Sequence, residues 1–240
     1  MIVEQKKLLR WLTFPATDQL RPSLINVYQQ CNQRRRLWTH VCQPFTTYLI
    51  DLRLPECTLL TNYSKKLRQN IRRAKNAGIR IERDQDPTEV IRLFKPTIRA
   101  KGLRRLGQQD FATKTDLLIT RAVHPQMGVL AAHAYQLDWA TKTVKGVYNA
   151  SAFRLYPDDK VAQYACGQAN SLLYHEDFCS FGHQGFVTYD FGGYGGEAPQ
   201  VDYFKDRFAG QVAQQYNYYP LWYFCVRWWR SQWKKWTHGQ

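Results

Sequence analysis

The sequence predicts a mixed α/β fold with a largely antiparallel sheet, on three observations. First, a chain of 240 residues that is 44 % hydrophobic can bury a core in one sizeable domain or two small ones. Second, "GVLAAHAYQLD" (128–138), "VKGVYNASAF" (144–153) and "VAQYACG" (161–167) follow one another as strand-like segments. Turn signals fall near 140–143 and at "YPDDK", the pattern of an antiparallel meander. Third, helical spacing flanks these strands, at 60–77 before them and at 170–181 after them.

The remaining elements follow in order. Residues 9–15 read as a short strand ended by Pro15, and 18–31 carry a loose helical pattern. "FTTYLIDL" (45–52) is rich in β-branched and aromatic residues and reads as a strand. In "LTNYSKKLRQNIRRAKNA" (60–77), Leu60, Leu67, Ile71 and Ala74 form an apolar stripe, and Gly78 stops the helix. "IRIER" (79–83) reads as a strand, and 87–102 and 109–122 as helices. Asn170 is placed to cap the helix at 170–181, and "GFVTYDF" follows as a strand. A short helix at 199–208 opens with Pro199 and ends before Gly210. "QVAQQYNYY" is a final strand, and 221–237 a final helix. No linker-like stretch divides the chain, so one domain over 1–240 is expected, with its core at about 45–220 and a C-terminal helix over 221–240.

The net charge of +15 favours an anionic partner: nucleic acid, an acidic carrier protein, a phosphorylated ligand or an anionic membrane face. Cys31, Cys42, Cys57, Cys166, Cys179 and Cys225 form no C-x-x-C pair and share no ligand-like spacing with histidine, which favours reduced thiols over a disulfide framework or zinc site. No metal is expected. The first residues have no uninterrupted apolar run of the signal-peptide kind, and the longest uncharged run, 208–226, holds three glutamines, an asparagine and a proline.

The stretch "YDFGGYGGEAPQVDYFKDRFAG" (189–210) permits three readings. A kinase D-F-G at 190–192 would need an upstream H-R-D loop and a V-A-I-K lysine, and the chain has neither. A dinucleotide loop at 193–198 satisfies G-x-G-x-x-A, but the βα units and acidic residue that should follow are missing. The third reading rests on order: a meander, a helix, a strand ending in D-F-G-G, a short helix and a last strand. In this context "YDFGG" followed by "FKDRFAG" resembles the C-terminal signature of the Fem-type aminoacyltransferases, a branch of the GNAT superfamily of acyltransferases. "YSKKLRQNIRRAKNAG" (63–78) is similar to the basic helix that opens their transferase domain. The resemblance covers roughly residues 45–220. It implies a GNAT-like central sheet, mixed and mostly antiparallel, flanked by helices and splayed open at an acyl-donor cleft. The chain has room for one such domain, where Fem-type enzymes usually carry two.

Acyl transfer to an amine needs a polarised donor carbonyl and an aligned nucleophile. Gly192 and Gly193, lacking Cβ, would let a ligand approach the backbone, with Tyr194 beside them; a glycine-rich turn needing φ > 0 is the plainer account. Lys205 falls ~40° from Val201 on a helical wheel, inside the apolar stripe of Val201, Phe204 and Phe208. It points its ammonium into a cleft, or it snorkels with its stem on the sheet. The matching lysine of the Fem-type motif implies substrate binding and catalysis. Arg207 points elsewhere. Asp190, with Tyr189 alternating beside it, would orient the acceptor amine or take its proton, or else cap the following turn. Asp202 reads as a solvated first-turn acid, and His133, His175 and His183 as structural histidines rather than bases. "QYACGQAN" (163–170) lies where the phosphate-cradling loop of acetyl-CoA-using relatives belongs, with Gly167 and Asn170 as its substrate-binding candidates.

Two basic surfaces complete the reading. Between Ser64 and Arg80 seven basic residues occur with no acid, and Lys65, Arg68, Arg72 and Lys75 share one helix face, with Arg68 and Arg72 the binding candidates. In the tail, Trp222, Cys225, Val226, Trp229, Trp233 and Trp236 fall within ~100°, with Trp228 at the margin and Arg227, Arg230, Lys234 and Lys235 on the other side. Such a helix lies in a membrane interface or docks its tryptophans on the domain. The expectation is an N-acyltransferase, cytoplasmic or peripheral on the inner membrane face. Its donor would be acyl-CoA, acyl carrier protein or aminoacyl-tRNA, held as co-substrate with no tightly bound cofactor. Its acceptor would be an amine of a cell-envelope precursor, such as a sugar nucleotide, a lipid-linked sugar or a peptidoglycan-type unit. The alternative is a non-catalytic basic protein that binds RNA or a membrane surface on the same fold.

Overall fold

The structure is a computed structural model that describes residues 1–196 and 199–237, and side chains as far as Trp229. Glu197 and Ala198 of the G-x-G-x-x-A match lie outside the described residues, as do the side chains of Arg230, Trp233, Lys234, Lys235 and Trp236. The chain clusters into two compact units, Met1–Thr47 with Ala213–Gln240, and Tyr48–Val212.

The first unit contains β1 (Ile2–Lys6), β2 (Leu9–Thr13), β3 (Asn26–Cys31), most of β4 (His40–Asp51) and of β10 (Gln211–Pro220), and α7 (Leu221–Thr237). Its strand order is β1-β2-β3-β10-β4. The helix expected at 18–31 is a short 3-10 turn followed by β3. That strand is held in a sheet, parallel to β2 and antiparallel to β10, and this pairing overrides the loose helical spacing. Leu12, Leu20, Tyr28, Cys31, Leu37 and Tyr218 form one core cluster, and Leu9, Val27 and Tyr219 a second.

The second unit carries the strand order β4-β9-β8-β7-β6-β5, with β5 at Arg80–Asp84, β6 at Leu117–His124, β7 at Gly128–Asp138, β8 at Thr143–Ser151 and β9 at Thr188–Gly193. β5 through β8 pair antiparallel, and β9 joins β8 in parallel. The helices are α1 (Glu56–Asn62), α2 (Lys65–Asn76), α3 (Thr88–Lys101), α4 (Gln109–Ala112), α5 (Lys160–His183) and α6 (Pro199–Asp206). Residues 130–138 of β7 are all buried, so both faces of the sheet are covered. α3 packs on β7 and β8, and α5 on β6 and β7. This is the mixed, mostly antiparallel, helix-flanked sheet that the sequence predicts.

Three elements of this unit differ from expectation. The helix at 60–77 is broken into α1 and α2 because Ser64, with ψ 149°, caps α2 through an Oγ that accepts the Leu67 N–H at 3.3 Å. The segment 109–122 is helical only as far as Ala112; the β-branched residues beyond it enter β6 between β5 and β7. The third difference matters most for function. Residues 161–167 are not a strand but the start of α5, which Asp159 caps by accepting the Ala162 N–H at 2.9 Å. Gly167 and Asn170 therefore lie inside a 24-residue helix, and the phosphate-cradling loop expected between a strand and a helix does not exist there.

Candidate active site

The opening between β8 and β9 follows from their register. They pair only over Thr143–Lys145 with Thr188–Asp190. Beyond that, β8 takes a bulge, where the register against β7 shifts between Ala134 and Tyr135 and leaves Val147 as the extra residue. The strands part, and a cleft of about 460 Å³ fills the wedge. Val147–Ser151 of β8 and Phe191 of β9 line it, with Asn170 and Tyr174 of α5, Phe94 of α3, and Gln200, Val201, Phe204 and Lys205 of α6. It is a largely aromatic slot with a few polar groups, the make-up of a site for a small organic group.

Lys205 is the one cation among the described residues of that lining. It is only 5 % exposed, on a helix of eight residues. Its Nζ donates to the Gly192 carbonyl at 3.1 Å and also to the Gly193 carbonyl. Burial lowers its pKa, while the charges of Asp202 and Asp190 act the other way. An ammonium has three N–H groups, so two bonds to carbonyls leave one for a ligand in the cleft. Lys205 is thus drawn inward and anchored, which removes the snorkelling alternative.

The loop that Lys205 grips is built by its own sequence. Gly192 sits at φ 76° and Gly195 at φ 74°, conformations that favour glycine. Asp190 is fully buried, and its Oδ1 accepts the Gly192 N–H at 2.6 Å, the turn-capping role of an aspartate. Asp202 accepts from Gly195 N–H at 2.9 Å, and Asp206 from the Tyr194 hydroxyl at 2.8 Å. The Tyr194 ring stacks on Tyr48 at 5.1 Å. One face of α6 therefore holds the loop by three side chains.

Of the other residues singled out in the sequence, Asn170 reaches the cleft, from a helix rather than a loop. Gly167 does not line it, and a Cβ there would meet nothing within 4 Å. Tyr189 is walled into the core against Phe178 and Phe191, each at 4.8 Å, and burial raises its phenol well above the usual range. A Cβ on Gly146 would come within 2.6 Å of the Tyr189 oxygen, which accounts for that glycine. Arg68 donates to the carbonyls of Thr61 at 2.9 Å and Tyr63 at 2.6 Å, closing the end of α1. Neither Arg68 nor Arg72 lines the cleft.

A polar chain behind Asn170 escaped sequence reasoning. His133 Nε2 meets Asn170 Oδ1 at 2.9 Å, and His133 Nδ1 meets the Tyr135 hydroxyl at 2.7 Å. Tyr135 donates to Asp177 at 2.6 Å, and Thr120 does so at 2.8 Å. The chain fixes the Asn170 side chain at the cleft wall. The signal was present in the period-two placing of His133 and Tyr135 in β7, and in an aspartate at 177 amid apolar helix residues.

Glu56, His175 and Cys179 bring potential metal ligands within 4.8 Å of one another. Glu56 meets Nε2 of the ring at 3.2 Å, whereas Cys179 meets Nδ1 at 3.9 Å. An ion on either nitrogen would have its other ligand across the ring. Lys75 lies 3.9 Å from the Glu56 carboxylate, and burial pushes the Cys179 thiol up to about 12. The group fits a hydrogen-bonded tie between α1 and α5 better than a metal centre.

No family model matches the sequence, and no curated protein matches it. Solved structures do share its fold. FemX superposes with a TM-score of 0.58 at 14 % identity, over 73 % of this chain and 61 % of that one. The C-terminal domain of a putative lysylphosphatidylglycerol synthetase from Agrobacterium fabrum gives 0.58 at 12 % identity, over 90 % and 79 %. The L-PGS of Bacillus licheniformis gives 0.51 at 12 % identity, over 81 % and 68 %. The chain thus shares the fold of FemX and of these synthetase domains, and spans about three-fifths of the FemX structure.

Proposed function

We propose that the chain is a Fem-like acyltransferase that moves an acyl or aminoacyl group from an activated donor to an amine of a cell-envelope precursor. The observation that carries the reading is the wedge between β8 and β9, with a buried lysine in its wall and one ammonium N–H to spare. In the reaction the amine attacks the acyl carbon, a C–N bond forms, and the C–O or C–S bond of the donor breaks. The leaving oxygen or sulfur takes up the proton that the amine releases. Negative charge builds on the acyl oxygen, and Lys205 is the group suited to meet it. Asp190 acts through the loop: it holds the Gly192 turn whose carbonyl anchors Lys205.

The donor reading follows from the start of α5. Asp158 and Asp159 stand there, and Asp159 already accepts the Ala162 N–H. A carboxylate occupies the helix end that would attract a pyrophosphate. This favours a donor whose anionic part binds elsewhere, an aminoacyl-tRNA or an acyl carrier protein, over acyl-CoA. The exposed Lys65, Lys66, Arg72 and Arg73 of α2 are suited to such a partner. For the acceptor, a groove of about 590 Å³ runs along α3, with Ile91, Ile98 and Leu106 among its apolar residues and Lys95, Arg99 and Arg105 as its cations. An anionic, partly apolar precursor fits that lining.

The test is transfer of a labelled acyl group from aminoacyl-tRNA, acyl carrier protein and acyl-CoA to amine acceptors. Consumption of one acylated donor, lost in Lys205→Ala, is expected. If none is consumed and bare polyanions alone bind, with steep salt dependence, the second reading takes its place: a non-catalytic RNA-binding protein using the exposed cations of α2.

A further inference from the structure

The first unit carries a surface that the transfer chemistry does not use. Among its described side chains, α7 turns Tyr223 and Phe224 toward Leu9, Val27 and Tyr219, and Trp11 meets Tyr223 edge-on at 6.2 Å. Arg227 lies on the same side, 4.9 Å over the Tyr219 ring and 5.8 Å from Tyr223. On a wheel these three residues centre roughly 160° from the stripe of Trp222, Cys225, Val226 and Trp229. The stripe therefore faces away from the unit. Trp222 is 43 % exposed, Trp228 58 % and Trp229 61 %. Over the described part of the helix the ring packing on the unit falls to Tyr223 and Phe224, Trp222 touches it through its indole N–H, and Trp228 and Trp229 stay largely exposed.

Two loops extend the exposed apolar surface. The Trp222 indole donates to the Leu24 carbonyl at 2.6 Å, and the Leu221 N–H to the Thr39 carbonyl at 3.0 Å. Ser23 N–H in turn meets the Thr39 hydroxyl at 3.1 Å. Leu24, Ile25 and Trp38, at 66 %, 55 % and 78 % exposure, are thereby held next to the start of α7. Arg21, Arg34 and Arg36 are exposed on the same two loops. The whole unit has eleven Lys and Arg residues against Glu4 and Asp18, so it carries +9 of the chain's +15.

We propose that this face of the first unit docks on an anionic lipid bilayer. Tryptophan, leucine and isoleucine projecting from a helix and two loops enter the headgroup region, where an indole satisfies both its ring and its N–H. The arginines beside them meet the negative surface potential, which a second protein would have to match with an acidic patch. The charge is what selects the bilayer over a second copy of this chain: two such faces, each strongly cationic, repel. No helix of the described chain is long and apolar enough to cross the membrane, so the contact is peripheral. The inference does not rest on the transferase reading.

The experiment uses the full chain with vesicles of phosphatidylcholine alone, and with vesicles containing about a third phosphatidylglycerol, and measures the bound fraction by co-sedimentation. Binding to the anionic vesicles is expected, weakening as salt rises. The pair Trp38→Ser and Trp229→Ser should lower the partition coefficient at least ~10-fold, and Arg34→Gln with Arg36→Gln roughly tenfold, with a flatter salt dependence. Leu24→Ser with Ile25→Ser provides a second apolar variant should the tryptophan pair misfold. Lys205→Ala should bind as the parent does, which separates this outcome from any failure of the transfer reaction. The proposal is overturned by absent binding to anionic vesicles, by binding that neither apolar pair reduces, or by a concentration-dependent dimer that the tryptophan pair abolishes while vesicles remain unbound.

Discussion

Two amphipathic helices of this protein break the burial rule in opposite directions. α6 puts a lysine inside, 5 % exposed, and α7 leaves a tryptophan stripe outside, with Trp229 61 % exposed. Each helix wheel was readable in the sequence, but the wheel alone does not say which face meets the domain. In α6 the carbonyls of Gly192 and Gly193 draw the lysine in, because they give the ammonium acceptors that its burial requires. In α7 a half-buried pair, Tyr223 and Phe224, wins the contact with the unit, and the Arg227 guanidinium lies over the rings of Tyr219 and Tyr223. An inward charge and an outward aromatic stripe both cost stability unless something else uses them, which is why function is sought at both.

The comparison breaks first at Lys205. Lys205→Ala should lower transfer by about 10²–10³-fold, the usual effect of removing one donor to a developing oxyanion, with the protein still folded. Lys205→Met keeps the stem and should fall as far; recovery of activity in it would show that packing, not charge, matters. pH sharpens the same point. Burial lowers the Lys205 pKa, so the ammonium, and with it transfer, should be lost as pH rises through a value below the ordinary 10.5. Stability runs the other way. The unfolded chain holds that proton to higher pH than the folded one, so the burial penalty is complete below the folded pKa and fades as pH climbs toward 10.5. A denaturant titration across alkaline pH should show this rise in the parent and not in Lys205→Met.

How much of this was legible depended on whether a local signal agreed with its neighbours. The strands expected at 128–138 and 144–153 and the helix expected at 199–208, observed as Gly128–Asp138, Thr143–Ser151 and Pro199–Asp206, were readable with the place of Lys205 on the apolar stripe, because alternation, Pro199 and the wheel agreed; where its ammonium goes was not. The segment 161–167 misled because its small and aromatic residues alternate as a strand does; Asp159, a cap, was the sign that it is helix. The segment 18–31 misled in the converse way, since it is held by pairing with the preceding β2 and the remote β10, and a periodicity count cannot see pairing. The aromatic wall of the cleft, Tyr148, Tyr174, Phe191 and Phe204, was invisible for the same reason: four elements contribute to it. The bulge at Val147 that opens the wedge leaves no residue signature at all.

The α7 half of the comparison predicts smaller numbers. Phe224→Ala should destabilise the protein by ~1–2 kcal/mol, less than a fully buried phenylalanine because the ring is half-exposed. Arg227→Ala should cost ~0.5–1 kcal/mol through the lost contact with the Tyr219 and Tyr223 rings, and Arg227→Lys should recover only part of it. Both are read from the midpoint of chemical denaturation. If the helix docked instead by its tryptophans, the order would invert, and Trp229→Ser would be the costlier change.

The smallest effect is the most discriminating. Trp38 is 78 % exposed, and Trp38→Ser should leave the denaturation midpoint within about 0.5 kcal/mol of the parent, as surface substitutions do. A large aromatic side chain that contributes so little to folding, yet sits on the cationic unit beside Arg34 and Arg36, is what the proposed bilayer contact requires. A Trp38→Ser protein that melts early would instead place the indole in the fold's own packing, and would remove one of the three elements on which the bilayer face is built.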